Sequence, residues 1–93
     1  MSGEKIDEIA VRRVYNKRLD AVAEYLSQDE GMKIFFDNLS KDDIIAGLNE
    51  PTIRVFEGGG VLSYYNHNFD DVHIIDLEFG GVLEKFYEVS ING

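Results

Sequence analysis

Twenty residues, Val72–Ile91 (VHIIDLEFGGVLEKFYEVSI), constrain the fold more tightly than any other part of the chain. Two stretches of alternating character flank Gly80-Gly81, the pattern of an antiparallel hairpin. Opposed residues in such a pair share one face of the sheet, so parity decides the register. A two-residue loop at Gly80-Gly81 sets Leu77 against Glu84 and Asp76 against Lys85, mixing apolar and charged residues on both faces. An odd-length loop sorts them. One face then holds His73, Ile75, Leu77, Phe79, Leu83, Tyr87, Val89 and Ile91, with Lys85; the other holds Val72, Ile74, Asp76, Glu78, Glu84, Phe86, Glu88 and Ser90. A one-residue slip carries every side chain across the sheet, so the sorted register is expected. It implies a three-residue loop with a glycine bulge.

Sorting leaves acids near acids, with Ile74 and Phe86 between them. Like charges opposed on a sheet destabilise it. An acidic face that interleaves aromatic and aliphatic residues, at a cost to its own fold, suits a partner surface. The plain alternative is a solvated sheet face.

The chain before this hairpin reads as helices, then strands. Residues 4 to about 28 carry a helical apolar stripe (Ile6, Ile9, Ala10, Val14, Leu19, Val22, Tyr25, Leu26), with Ser2 and Gly3 to start it. The stripe is disturbed at Asn16-Lys17-Arg18, where a bend or break is expected. Asp29–Leu39 holds a second helix, capped by Asp29 or Ser27, with Met32, Phe35, Phe36 and Leu39 on one side. Ser40 and Asp43 form a capping box for a short third helix, whose buried side is Ile44, Ile45 and Leu48. Pro51, the one proline, marks the change to a period of two. Thr52–Glu57 and Val61–Asn66 read as a hairpin around Gly58-Gly59 in type I′ geometry, with Val55 opposite Leu62 and Ile53 opposite Tyr64. The inner face of the whole sheet is expected to carry Ile53, Val55, Leu62, Tyr64, Ile75, Leu77, Leu83, Tyr87 and Val89. The expectation is an α+β fold: two or three N-terminal helices packed on one face of a four-stranded antiparallel β-meander. The 93 residues read as a single domain, 1–93, with a helical half (1–50) and a sheet half (51–93).

Charge narrows the functional classes. The net charge is −9 and it is uneven. Residues 1–49 hold ten acids against seven bases, and residues 50–93 hold eight against two. Such a chain is expected to bind neither nucleic acid nor an anionic membrane directly, since phosphate neutralisation needs clustered Lys and Arg. It favours steering toward a basic partner. The one basic cluster, Arg12, Arg13, Lys17 and Arg18, lies among helix acids that can neutralise it. With no cysteine, the chain lacks disulfides, thiolate metal sites and cysteine nucleophiles. No apolar run spans a membrane and no signal segment is evident, so a cytoplasmic location is expected.

No catalytic signature appears, and the chain is not expected to be an enzyme or to carry a cofactor. His67, Asp70, Asp71 and His73 match no standard metal-ligand spacing. Glu78 and Glu84 on an open face lack the walls that shift carboxyl pKa values. Gly58-Gly59-Gly60 is a turn with no following helix to cradle phosphate. The candidate contact residues are Phe56, Tyr65, Ile74, Asp76, Glu78, Glu84, Phe86 and Glu88: aromatic anchors ringed by carboxylates.

In size, acidity and the strands Asp76–Glu78 and Glu84–Glu88, the chain resembles small acidic inhibitor proteins. These include the immunity proteins of bacterial nuclease toxins and phage anti-defence (anti-CRISPR) inhibitors that mimic nucleic acid. The resemblance implies a protein that occludes the active site or substrate channel of a basic nucleic-acid-processing enzyme. Two other expectations compete with it. One is an accessory subunit that forms a homodimer through the outer sheet face. The other is a small ligand- or metal-binding protein using the 67–73 loop.

Overall fold

The computed structural model describes residues 6–93. Three helices, α1 (Glu8–Ser27), α2 (Glu30–Phe36) and α3 (Lys41–Gly47), precede four strands, β1 (Thr52–Phe56), β2 (Gly59–Tyr64), β3 (Ile74–Gly80) and β4 (Lys85–Asn92). The strands form one antiparallel sheet in the order β1-β2-β3-β4. The fold is the expected α+β meander, with the helices covering one face of the sheet.

Each helix starts where a side chain can take up its free amides. Asp7 caps α1 by accepting from Ala10 N at 2.8 Å. The proposed start at Ser2-Gly3 lies outside the described residues. Asp29 caps α2 through Met32 N at 3.0 Å. Ser40 and Asp43 make the reciprocal capping box of α3, both bonds being 3.1 Å. α1 runs unbroken through Asn16-Lys17-Arg18, against the expected bend. Lys17 there is exposed, and Arg18 is half-buried and occupied in tertiary contacts described below. α2 stops at Phe36 because Asp37 takes a φ of 67°.

Val11, Val22, Ala23 and Leu26 of α1, with Met32, Phe36 and Ile44, meet Ile53, Leu62, Tyr64, Ile75, Leu77 and Phe79 of the sheet in one core. Burial of side chains this size is worth about 1.5–3 kcal/mol each, so the inner face dominates the stability. Tyr64 is fully buried and its hydroxyl lies 2.6 Å from that of Tyr15 on α1. Burial raises the pKa of both phenols, so the pair is neutral across the physiological range.

The two hairpins depart from expectation in instructive ways. In the first, the loop is Glu57-Gly58, and Ile53 faces Leu62 while Val55 faces Gly60. That is a slip of two residues from the expected register, so the faces are unchanged. Only Gly58 of the loop has positive φ (85°), so the type I′ geometry is not adopted. Gly60 is needed inside β2 for another reason: a Cβ there would lie 2.7 Å from the Phe79 ring and 2.2 Å from Arg54 O.

In the second hairpin the loop has four residues, Gly81–Glu84, closed by Glu84 N donating to Gly80 O at 3.0 Å. The expected three-residue loop is not formed. Gly80 pairs with Lys85 and Phe79 with Phe86, and then the register shifts so that Glu78 pairs with Glu88. Tyr87 is therefore a bulge residue. The even loop and the extra residue together restore the sorted parity: Leu77 faces Val89 and Ile75 faces Ile91. Leu83 in the loop has φ 59°, costly for a side chain with a Cβ. Its side chain is fully buried, and Arg18 Nε donates to its carbonyl at 2.8 Å.

A third anchoring point joins the helices to the 65–73 loop. Phe69 packs at a tilt against Phe36 (centroids 5.5 Å) and stacks with His67 (5.2 Å), with its ring resting on Gly47. A Cβ at Gly47 would fall 2.3 Å from Phe69 Cε1. Overpacking of this kind costs roughly 1–3 kcal/mol, against a helix-propensity gain of at most about 1 kcal/mol. Gly47→Ala is therefore expected to lower stability by about 1–2 kcal/mol in denaturant unfolding. In a Phe69→Ala background the same change should become neutral or stabilising, because only the propensity term is left.

Candidate functional site

No helix among the described residues lies on the outer face of the sheet. From β1 it presents Thr52, Arg54 and Phe56, from β2 Val61 and Ser63, from β3 Ile74, Asp76 and Glu78, and from β4 Glu88, Ser90 and Asn92, together with Lys85, which was expected on the inner face and pairs with Gly80 on this one. Arg54, Val61, Asp76, Glu78, Glu88 and Ser90 line a shallow hollow at its centre.

The carboxylates here differ in what they do. Asp76 is tied into the sheet: Ser63 Oγ donates to Oδ1 at 2.6 Å and Asn92 Nδ2 donates to Oδ2 at 3.0 Å. It bridges three strands and serves the fold first. Glu78 and Glu88 are direct cross-strand neighbours. No ion pair among the described residues neutralises either of them. Like charges so placed weaken the pairing. Glu84 lies in the turn, exposed, and folds back over Gly81.

One of the proposed contact residues, Phe86, changes places with its neighbour Tyr87. Phe86, expected on the outer face, points inward: its ring sits 5.5 Å from Tyr25 and 5.8 Å from the Arg18 guanidinium. Tyr87, expected in the core, is 55% exposed and lies across Gly80, its hydroxyl 2.3 Å from where a Cβ would be. The bulge causes the exchange, since it delays the alternation by one residue. Phe56 is on the outer face and 51% exposed. Tyr65 follows the end of β2, exposed, and Ile74 is half-buried at the start of β3. The face is thus banded. Its middle is acidic and both ends are apolar, over about 20 Å along β3 at ~3.3 Å per residue. Tyr87 is the contact residue that simple alternation misses. The signal available for it was a buried Gly80 directly before the turn, which leaves room for a ring.

The sheet edges are less available than this face. β1 is five residues long and is preceded by Pro51, while β4 carries the bulge. Short edges, proline and bulges all discourage strand addition.

The 67–73 loop is built from hydrogen bonds already in use. Phe69 N donates to His67 Nδ1 at 3.2 Å, so the proton is on Nε2, which donates to His73 O at 2.7 Å. Asp70 accepts from Val72 N (3.1 Å), His73 N (3.0 Å) and His73 Nδ1 (2.6 Å). His73 packs against Phe35 and Phe36. No group of three or more His, Cys, Asp or Glu converges as a metal site among the described residues. The basic cluster on α1 is also partly engaged. Arg12 pairs with Glu8 (3.0 Å) and Glu50 (3.1 Å), whereas Arg13 and Lys17 face solvent. No helix among the described residues is long and apolar enough to cross a membrane.

In comparisons with known proteins, the chain matches no family model, no curated protein and no solved structure. Function must therefore be argued from the face itself.

Two outcomes follow from these electrostatics. Glu88→Lys, which turns a like-charge pair into an opposite one, should stabilise the fold by roughly 0.2–1 kcal/mol. Denaturation at low and high salt should show the gain shrinking as salt rises. Backbone and side-chain donation from His73 holds the Asp70 carboxyl at about 2, below its usual 3.8. A depressed carboxyl contributes stability above its unfolded value and loses it as pH falls through the folded one. Asp70→Asn should accordingly be less stable than the parent at neutral pH, with the gap in thermal midpoint closing between about pH 4 and pH 2.

Proposed function

We propose that the outer sheet face docks onto a basic protein, and that the chain is an acidic inhibitor occluding a nucleic-acid-processing enzyme of the toxin-immunity or anti-CRISPR kind. The observation that carries this reading is the unneutralised Glu78–Glu88 pair, set on a face with no core duty and flanked by exposed Phe56 and Tyr87. A Lys or Arg of a partner placed between the two carboxylates relieves their repulsion. The cost borne by the free protein then returns as binding free energy. Aromatic side chains at the rim supply apolar contact area, and rigid rings lose little entropy on binding. An enzyme that holds nucleic acid in a basic channel presents the complementary surface. Occupying that channel excludes the substrate by simple overlap.

The same face explains why self-association is a poorer reading. Two copies meeting face to face would oppose acid to acid, with Arg54 and, at one end, Lys85 the cations among the face residues named above.

The test is capture from the native host with the parent chain and a Glu78→Lys/Glu88→Lys variant, followed by titration of the captured enzyme. Binding should be salt-sensitive and inhibit turnover. The double reversal should weaken it at least about tenfold, which corresponds to ~1.4 kcal/mol, while circular dichroism shows an intact fold. Undiminished binding by the folded variant would rule out this face as the site.

A further inference from the structure

Asn92 is followed by Gly93, and the structure shows why glycine stands there. A Cβ at Gly93 would lie 2.5 Å from Val72 O and 3.1 Å from His73 Cα. The chain packs against the backbone leading into β3 and leaves no room for a side chain. An asparagine before glycine is chemically vulnerable, because no side chain shields the following peptide nitrogen from the asparagine Cγ. Asn92 is exposed and stands at the end of β4, opposite Ile74. Its Nδ2 donates to Asp76 Oδ2 at 3.0 Å.

We propose that Asn92 is a deamidation site whose reactivity is gated by its hydrogen bond to Asp76. The Gly93 peptide nitrogen, giving up its proton, attacks Asn92 Cγ. A C–N bond forms, the Cγ–Nδ2 bond breaks, and ammonia leaves carrying the proton. Water then opens the succinimide at either carbonyl, yielding aspartate or isoaspartate. The net change is loss of ammonia and gain of water, with no oxidant or reductant. The attack requires the extended backbone at Asn92 to rotate and its amide to leave Asp76, so it proceeds when the last β3–β4 pair opens. The product sets a second carboxylate where a donor stood. Two carboxylates at that separation cannot both ionise without moving apart. The modified chain therefore has a looser end to β4 and, at neutral pH, one more negative charge on the outer face. Isoaspartate adds a backbone methylene as well, which breaks the strand register locally.

The proposal is tested by incubating the folded protein at mildly alkaline pH and mapping the mass increase of about one unit by peptide mass spectrometry. Modification should concentrate at Asn92 over Asn16, Asn38, Asn49, Asn66 and Asn68. An Asp76→Ala variant, verified as folded by circular dichroism, should deamidate at Asn92 several-fold faster. In denaturing urea the two proteins should react at one common, faster rate, which separates gating from gross unfolding. Asn92→Asp should reproduce the lowered thermal midpoint of the aged protein at neutral pH. No selective modification at Asn92, or equal native rates in parent and folded Asp76→Ala, would overturn the proposal. If Asp76→Ala does not fold, the ratio of native to urea rates in the parent decides: a ratio near one overturns it.

Discussion

Tyr87 is one residue too many for the pairing of β3 with β4, and the two faces of the sheet separate cleanly because of it. The four-residue turn at Gly81–Glu84 brings the strands together in the mixed parity that puts acids beside aliphatics. Looping out Tyr87 corrects that parity for every residue beyond it. Leu77, Val89, Ile75 and Ile91 then meet on the inner face, and Glu78 meets Glu88 on the outer one. The hydrophobic gain on one side outweighs the charge repulsion on the other: each buried aliphatic is worth about 1.5–3 kcal/mol, and a like-charge pair costs only a fraction of one. The acidic pair is thus tolerated because the core is buried on the other side, and it is on this pair that the docking proposal rests.

The turn that feeds this bulge is held from the helical side. Arg18 reaches from the middle of α1 to the carbonyl of Leu83, while its guanidinium lies over Phe86. Leu83 is kept in a left-handed conformation because its side chain is fully buried and its carbonyl is occupied. Phe86, turned inward by the bulge, closes against Tyr25. One helix therefore fixes both the turn and the strand that follows it. At the opposite end, the Phe36, His67, Phe69 and His73 rings perform the same office for the loop between β2 and β3.

Much of this was legible in the residues. Alternation located the four strands, capping chemistry located the start of α3, and apolar sorting predicted the parity of the last hairpin. What sorting could not distinguish is how an odd residue is accommodated. A three-residue loop and a four-residue loop with a bulge give the same parity far from the turn. They differ only for residues between turn and bulge, which is why Lys85, Phe86 and Tyr87 change faces and the residues beyond them do not. The first hairpin failed similarly: a slip of two preserves both faces, so hydrophobicity is blind to it. The disturbed stripe at Asn16-Lys17-Arg18 suggested a break because helical periodicity counts apolar positions, and Arg18 holds its place through a carbonyl and a ring. On the acidic face, Asp76, Glu78 and Glu88 look equivalent in sequence. Only the cross-strand donors Ser63 and Asn92 separate the structural carboxylate from the two that are unneutralised.

The division between the two faces of β3 has a consequence for how such a protein changes over time. Odd-numbered positions from Ile75 to Phe79 are committed to the core, whereas Glu78 stands outside it, paired across the strands with Glu88. If the outer face docks as proposed, instructions for folding and instructions for recognition alternate letter by letter along one short strand without sharing a residue, Asp76 excepted. A lineage under pressure from a changing adversary can rewrite the outer letters singly and keep the inner ones. Its relatives would then share a pattern of burial long after they had ceased to share a recognisable sequence.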